Sequence, residues 1–167
     1  MTGKTATHEE ILESFNRTVT DAAAYLGCVD EKRTDGHQSA HGVLAQMVFW
    51  HEQYVQILGA IAAGQPPTLL SGPFDMLNMI GRQKYAREAQ PMLAHELTVL
   101  HHEFDRVLRG IADWSLNFPV KQDSGYCSIA ERVRLIDAHI HNRVALLKRS
   151  EAGLTPAKTP LTGESDV

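Results

Sequence analysis

Two cysteines in 167 residues, Cys28 and Cys127, with no Cys-x-x-Cys pair, exclude a disulfide scaffold and a cysteine-rich zinc site. Long apolar runs are also missing. No stretch approaches the 18 residues of a membrane span. The opening residues, MTGKTATHEE, lack the apolar core of a signal peptide, so a cytoplasmic location is expected. A basic excess is absent: 16 Lys and Arg stand against 20 Asp and Glu, for a net charge of −4. That balance argues against a general nucleic-acid binder. Strand alternation and internal repeats are not visible either. What the chain does have is apolar residues at helical spacing, and nine histidines.

Thr7-His-Glu-Glu10 has the Thr-x-x-Glu spacing of a capping box. Ile11, Leu12, Phe15, Val19, Ala22 and Leu26 follow at three- and four-residue steps, which predicts a helix over 8–27. A polar loop covers 28–38, and Ser39 starts a second helix over 39–63. Its apolar side is two stripes wide, which predicts contact with more than one neighbour. Gly64-Gln-Pro-Pro stops it. A short helix is expected within 74–88, and a third long one over 91–114 from the stripe Leu93, Leu97, Leu100, Phe104. Ser128-Ile-Ala-Glu131 is a second capping box, and it opens a last helix over 128–150. The expected architecture is all-α: one bundle domain over 1–153, with an extra short helix between the second and third long ones. Residues 154–167 carry no stripe and read as a disordered tail.

Several polar residues interrupt the stripes. Gln46 and His51 stand among apolar residues of the second helix, near Trp50 and Tyr54. A buried amide without a partner costs about 1–3 kcal/mol, so Gln46 needs another polar group, a ligand or water. On the last helix Asp137 and His141 are four apart, on one edge of the stripe. That spacing suits an acid/base pair or a plain i,i+4 surface contact. His139 and His141, two apart, must point to opposite sides. His95 and His102 fall outside the third stripe and are read as solvated, His8 as exposed, and His37 and His41 as cap or loop residues. The site expectation follows: Asp137 and His141 as the catalytic pair, facing Gln46, Trp50, His51 and Tyr54 as ligand-binding walls across the bundle.

The segment Val43-Leu-Ala-Gln-Met-Val-Phe-Trp-His-Glu resembles the second helix of the DinB-like bundles. It is most similar to their ClbS/DfsB branch, through Trp50-x-Glu52, the pair Leu77-Asn78 with Tyr85 seven residues on, and His141 four after Asp137, where the branch has Asn. The likeness covers most of 8–150. It implies a four-helix bundle with a long excursion between helices two and three, and a homodimer. In the wider family it implies a divalent metal, zinc or nickel, held by one His of helix two and a His-x-x-x-His of helix four. Here Gln46 and Asp137 replace two of those positions and only His141 matches, so no cofactor is expected. A substitute set of His141, Asp137 and His51 is the alternative. The ClbS-like branch implies a metal-free protein that binds, and in its named member hydrolyses, a reactive natural product. That member has Tyr at the position of Gln46. Two other readings stay open: a metal-dependent enzyme of the thiol-transferase kind, and a non-enzymatic dimeric bundle.

Overall fold

The computed structural model describes residues 6–151. The elements run α1 (His8–Leu26), α2 (Ala40–Ala62), α3 (Phe74–Lys84), α4 (Gln90–Arg109), β1 (Asn117–Phe118), β2 (Cys127–Ser128) and α5 (Ile129–Glu151). Both capping boxes form. The Thr7 hydroxyl accepts from the Glu10 amide while Glu10 accepts from the Thr7 amide. Ser128 and Glu131 exchange the same pair of bonds at the start of α5. Each box satisfies amides that the first helical turn leaves unpaired.

Two expectations need correction. The third long helix stops at Arg109, not 114, because Gly110 caps it and the chain turns there. Trp114 then folds back, its indole N–H donating to the carbonyls of Leu108 and Ile111. Residues 117–118 and 127–128 also form a two-residue antiparallel ladder, where no strand is predicted. The ladder places Phe118, buried, under the start of α5. The tail expected over 154–167 lies outside the described residues.

The four long helices share one core built from the predicted stripes, with Phe15, Leu44, Leu97, Phe104, Ile129 and Leu147 among its least exposed members. α2 packs against α4, α3 and, more sparingly, α1 and α5, and α1 packs against α4 and α5. The wide apolar face of α2 is therefore covered within the chain, and gives no argument for a second copy. No helix among the described residues is long and apolar enough to cross a membrane.

α3 lies on α2 through close contact and paired polar groups. A Cβ on Gly81 would come within 2.6 Å of the Phe49 ring, so only glycine lets the two helices meet there. The Trp50 indole N–H donates to Asn78 Oδ1 at 2.7 Å. Glu52 accepts from the Tyr85 hydroxyl and from Lys84 Nζ. Trp50, Glu52, Asn78 and Tyr85, the residues of the family resemblance, thus find each other across the α2–α3 contact.

Candidate functional site between α2 and α5

Val43, Gln46, Met47, Trp50, His51 and Tyr54 of α2 and Ile136, His139, Ile140 and Arg143 of α5 line one cavity. It holds a void of about 30 Å³ within a cleft of about 410 Å³ that includes its open mouth. The void suits one or two water-sized groups. All four α2 residues expected to form the ligand walls line it.

The acid/base pair does not. His141 is exposed and lines a groove with Ser14, Arg17, Thr18 and Asp21 of α1. Asp137 accepts a hydrogen bond from the Ser14 hydroxyl at 2.6 Å, also on α1. The expected meeting of Asp137 and His141 with Gln46 fails because α5 is rotated: Ile136, Ile140 and Arg143 define its α2-facing side. A residue one position along turns by about 100°, which carries 137 and 141 away from 136 and 140. The polar groups that reach the cavity are instead His139 and Arg143, again four apart.

Arg143 is buried, and its guanidinium lies 2.9 Å from the Asp35 carboxylate. Asp35, also buried, is held by the turn it sits in, accepting from the amides of His37 and Gln38 at 2.9 Å each. The loop between α1 and α2 thus delivers a carboxylate to the cavity's arginine. Burial, and then the charge of Arg143, push the His139 imidazole down to about 4, so it is neutral at pH 7. Gln46 accepts from Arg82 of α3 at 3.4 Å, which answers part of its hydrogen-bonding need.

His51 is 1% exposed. Its Nδ1 lies 3.0 Å from the Met47 carbonyl oxygen, which can only accept, so Nδ1 carries the proton. Its Nε2 is therefore a bare acceptor, and it has no hydrogen-bond partner among the described residues. The Tyr54 hydroxyl, on the same cavity wall, has none either. Burial, with a smaller push from His101, drops His51 to about 3, and burial raises Tyr54 above its usual value. Both groups are neutral across the ordinary pH range.

His101, His139, Asp35 and Arg143 escape the sequence reading. His139 and Arg143 carry the same i,i+4 signal as Asp137 and His141, displaced by two positions. His101 lies four after Leu97 and three before Phe104, in the buried stripe of α4. Its adjacent partner His102 is exposed, as expected, and so is His95. His8 is also exposed and stacks on Trp114, with centroids 4.4 Å apart. His41 donates to the Glu88 carbonyl, a loop-fastening role.

The His-based metal set of the wider family does not fit these residues. The α5 pair that faces α2 is His139 and Arg143, and a guanidinium has no lone pair to give a metal. Among the described residues no three His, Cys, Asp or Glu side chains gather as ligands. His141 and Asp137 are on the far side of α5 from His51, so the substitute set does not assemble.

No protein-family model matches the chain, and no curated protein does. Among solved structures, it is similar to a mycothiol-dependent maleylpyruvate isomerase, with a TM-score of 0.70 at 13% identity over 85% of this chain. The chain spans 61% of that isomerase's length. It is also similar to an uncharacterised protein from Escherichia coli UTI89, with a TM-score of 0.67 at 15% identity, covering 87% of this chain and 94% of that one. At these identities the likeness establishes architecture alone: the fold is an all-α helical bundle like that of those two structures.

Proposed function

We propose that the protein is a small-molecule-binding bundle of the ClbS/DfsB kind, that the α2–α5 cleft is its site, and that its reaction is hydrolysis of a reactive natural product. The observation that carries this is the lining itself. Trp50, Met47, Ile136 and Ile140 supply an apolar wall, while buried His51, Tyr54 and Arg143 and half-buried His139 supply a few polar groups. His139, neutral at pH 7, is able to take a proton from water. Arg143, oriented by Asp35, is a fixed cation beside it for charge that develops on the ligand. Asp137 and His141 have no part in this reading.

The fold likeness to a thiol-dependent isomerase favours a second reading, in which the same cleft serves a thiol-assisted enzyme. One screen separates the two. Thermal shift and turnover are measured with epoxides and strained-ring electrophiles, each with and without a low-molecular-weight thiol. Wild type, Ile140→Trp and His139→Gln are compared. Ligands should stabilise wild type but not Ile140→Trp, which fills the cleft. Hydrolysis without thiol should be lost in His139→Gln while binding persists. Turnover only with thiol supports the second reading. Equal ligand effects on wild type and Ile140→Trp reject the site.

A further inference from the structure

Gln46 is 9% exposed and lines the α2–α5 cleft, yet its hydrogen-bond partner stands outside that lining. The partner is Arg82 of α3. Its side chain crosses α2 beside Gly42, where a Cβ would lie 3.4 Å from Arg82 Cδ, and its Nη1 donates to Gln46 Oε1 at 3.4 Å. A guanidinium has only donors, so the amide atom facing it must be the oxygen. That contact fixes which way the amide is turned. Oxygen and nitrogen leave the amide carbon on opposite sides, so with Oε1 drawn to α3 the nitrogen is directed away from α3. Nε2 carries two N–H donors and has no hydrogen-bond partner among the described residues. Donors left unanswered on a buried amide are costly, so this group calls for an acceptor.

Arg82 also adds charge at this end of the cleft. Arg143 is on the lining, but the Asp35 carboxylate neutralises it. Arg82 has no carboxylate within ion-pair reach among the described residues. Its positive charge sits behind Gln46, polarises the amide and favours an electron-rich oxygen in front of it. One turn further along α2, Trp50 comes to the same side of the helix as Gln46, about 6 Å along the axis. The Trp50 N–H is taken by Asn78, so toward the cleft Trp50 offers only ring surface. The enclosed void of about 30 Å³ has room for a head group of two oxygens.

We propose that Gln46, oriented by Arg82, is the specificity-determining residue of the cleft, and that it selects ligands with a carboxylate or carbonyl oxygen carried on an apolar body. This rests on the reading of the α2–α5 cleft as a binding site, and adds to it the group by which the ligand is recognised. Gln46 binds the oxygen through its Nε2–H₂, and the Trp50 ring meets the apolar body. Arg82 is a positioning residue: it holds the amide and does not touch the ligand.

Butyrate, methyl propyl ketone and butylammonium share a propyl chain and differ in the head group, and they test the proposal on the full ¹⁵N,¹³C-labelled chain. Butyrate and the ketone should move the Gln46 side-chain amide signals downfield, and butylammonium should not. Affinity should rank butyrate first and butylammonium last. Arg82→Met removes the charge and the contact that orients the amide, and should weaken butyrate by about tenfold and the ketone by less. The size of that gap tells a carboxylate site from a carbonyl site. Gln46→Glu keeps the size and the tie to Arg82 but presents no donor. It should lose both acceptor probes and gain butylammonium, whose binding also shows that the variant is folded. An Ile140 methyl that moves with a probe while the Gln46 amide stays still overturns the proposal and leaves the cleft reading standing. Equal amide shifts from all three probes, or an unchanged ranking in Gln46→Glu, do the same. So does a Gln46 amide that keeps a long-lived water throughout the titrations. Cleft residues that respond to no probe overturn both readings.

Discussion

On the side of α5 that faces α2, His139 and Arg143 stand four residues apart; on the side that faces α1, Asp137 and His141 do the same. The first pair is walled by Ile136, Ile140, Trp50 and Tyr54, and its arginine has a buried carboxylate partner. The second pair looks onto an open groove, with one hydrogen bond to a serine hydroxyl. Spacing is identical and surroundings are opposite. The difference shows that an i,i+4 pair identifies a face of a helix and leaves open which neighbour that face meets. Burial then sets the energetic weight of each group, since charges in water are screened and charges in a core are not.

Acid should break the buried side first and most. His51, His101 and His139 are pushed down to about 3, 4 and 4 by burial, against about 6.5 in the unfolded chain. Between about pH 6.5 and 4 the unfolded state binds more protons, so stability is full above pH 6.5 and falls as pH drops. The expected slope is about 1.4 kcal/mol per pH unit for each such histidine. Urea titrations from pH 8 to 4.5 measure it. A flat profile over that range would mean these imidazoles are not buried neutral.

Arg143→Ala comes next. It leaves Asp35 buried without its cation, and removing one partner of such a pair costs about 3–5 kcal/mol. Denaturant midpoints of Arg143→Ala and of the double variant Arg143→Ala/Asp35→Ala check it, and the double variant should recover part of the loss. Trp50→Phe removes the hydrogen bond that Asn78 accepts and should cost about 1 kcal/mol, detected as faster amide exchange in α3 than in α4. The smallest effect belongs to the α1 side. Asp137→Ala and His141→Ala should each stay within about 0.5 kcal/mol of wild type and leave turnover unchanged. Loss of turnover in His141→Ala would restore the pair that the geometry sets aside.

The α2 half of the site was legible because Gln46 and His51 break an apolar stripe. A polar residue at a position whose neighbours are all buried must itself be buried. The α5 half was misread because its stripe is broad. Ile129, Val133, Ile136, Ile140, Val144 and Leu147 spread over an arc wide enough to touch both α1 and α2. Residues on either edge are equally placed by spacing alone. Asp35 carried no signal at all, since it lies in a polar loop and only the path of that loop brings it to Arg143. The Trp50, Glu52, Asn78 and Tyr85 motif was legible as a resemblance, while its role as the fastening of α3 to α2 emerged only from the contacts.

The order of helices, their caps and their apolar faces follow from the chain by itself, because capping and 3.6-residue periodicity act over a few neighbouring residues. Packing decided the rest. The rotation of α5 between α1 and α2, the reach of Asp35 into the core and the meeting of His51 with His101 depend on how side chains from distant segments fill a shared volume. Such contacts leave no mark on local spacing. Two residues, about 200° about the axis of α5, separate the half-buried neutral imidazole of His139 beside a guanidinium from the exposed one of His141 in water.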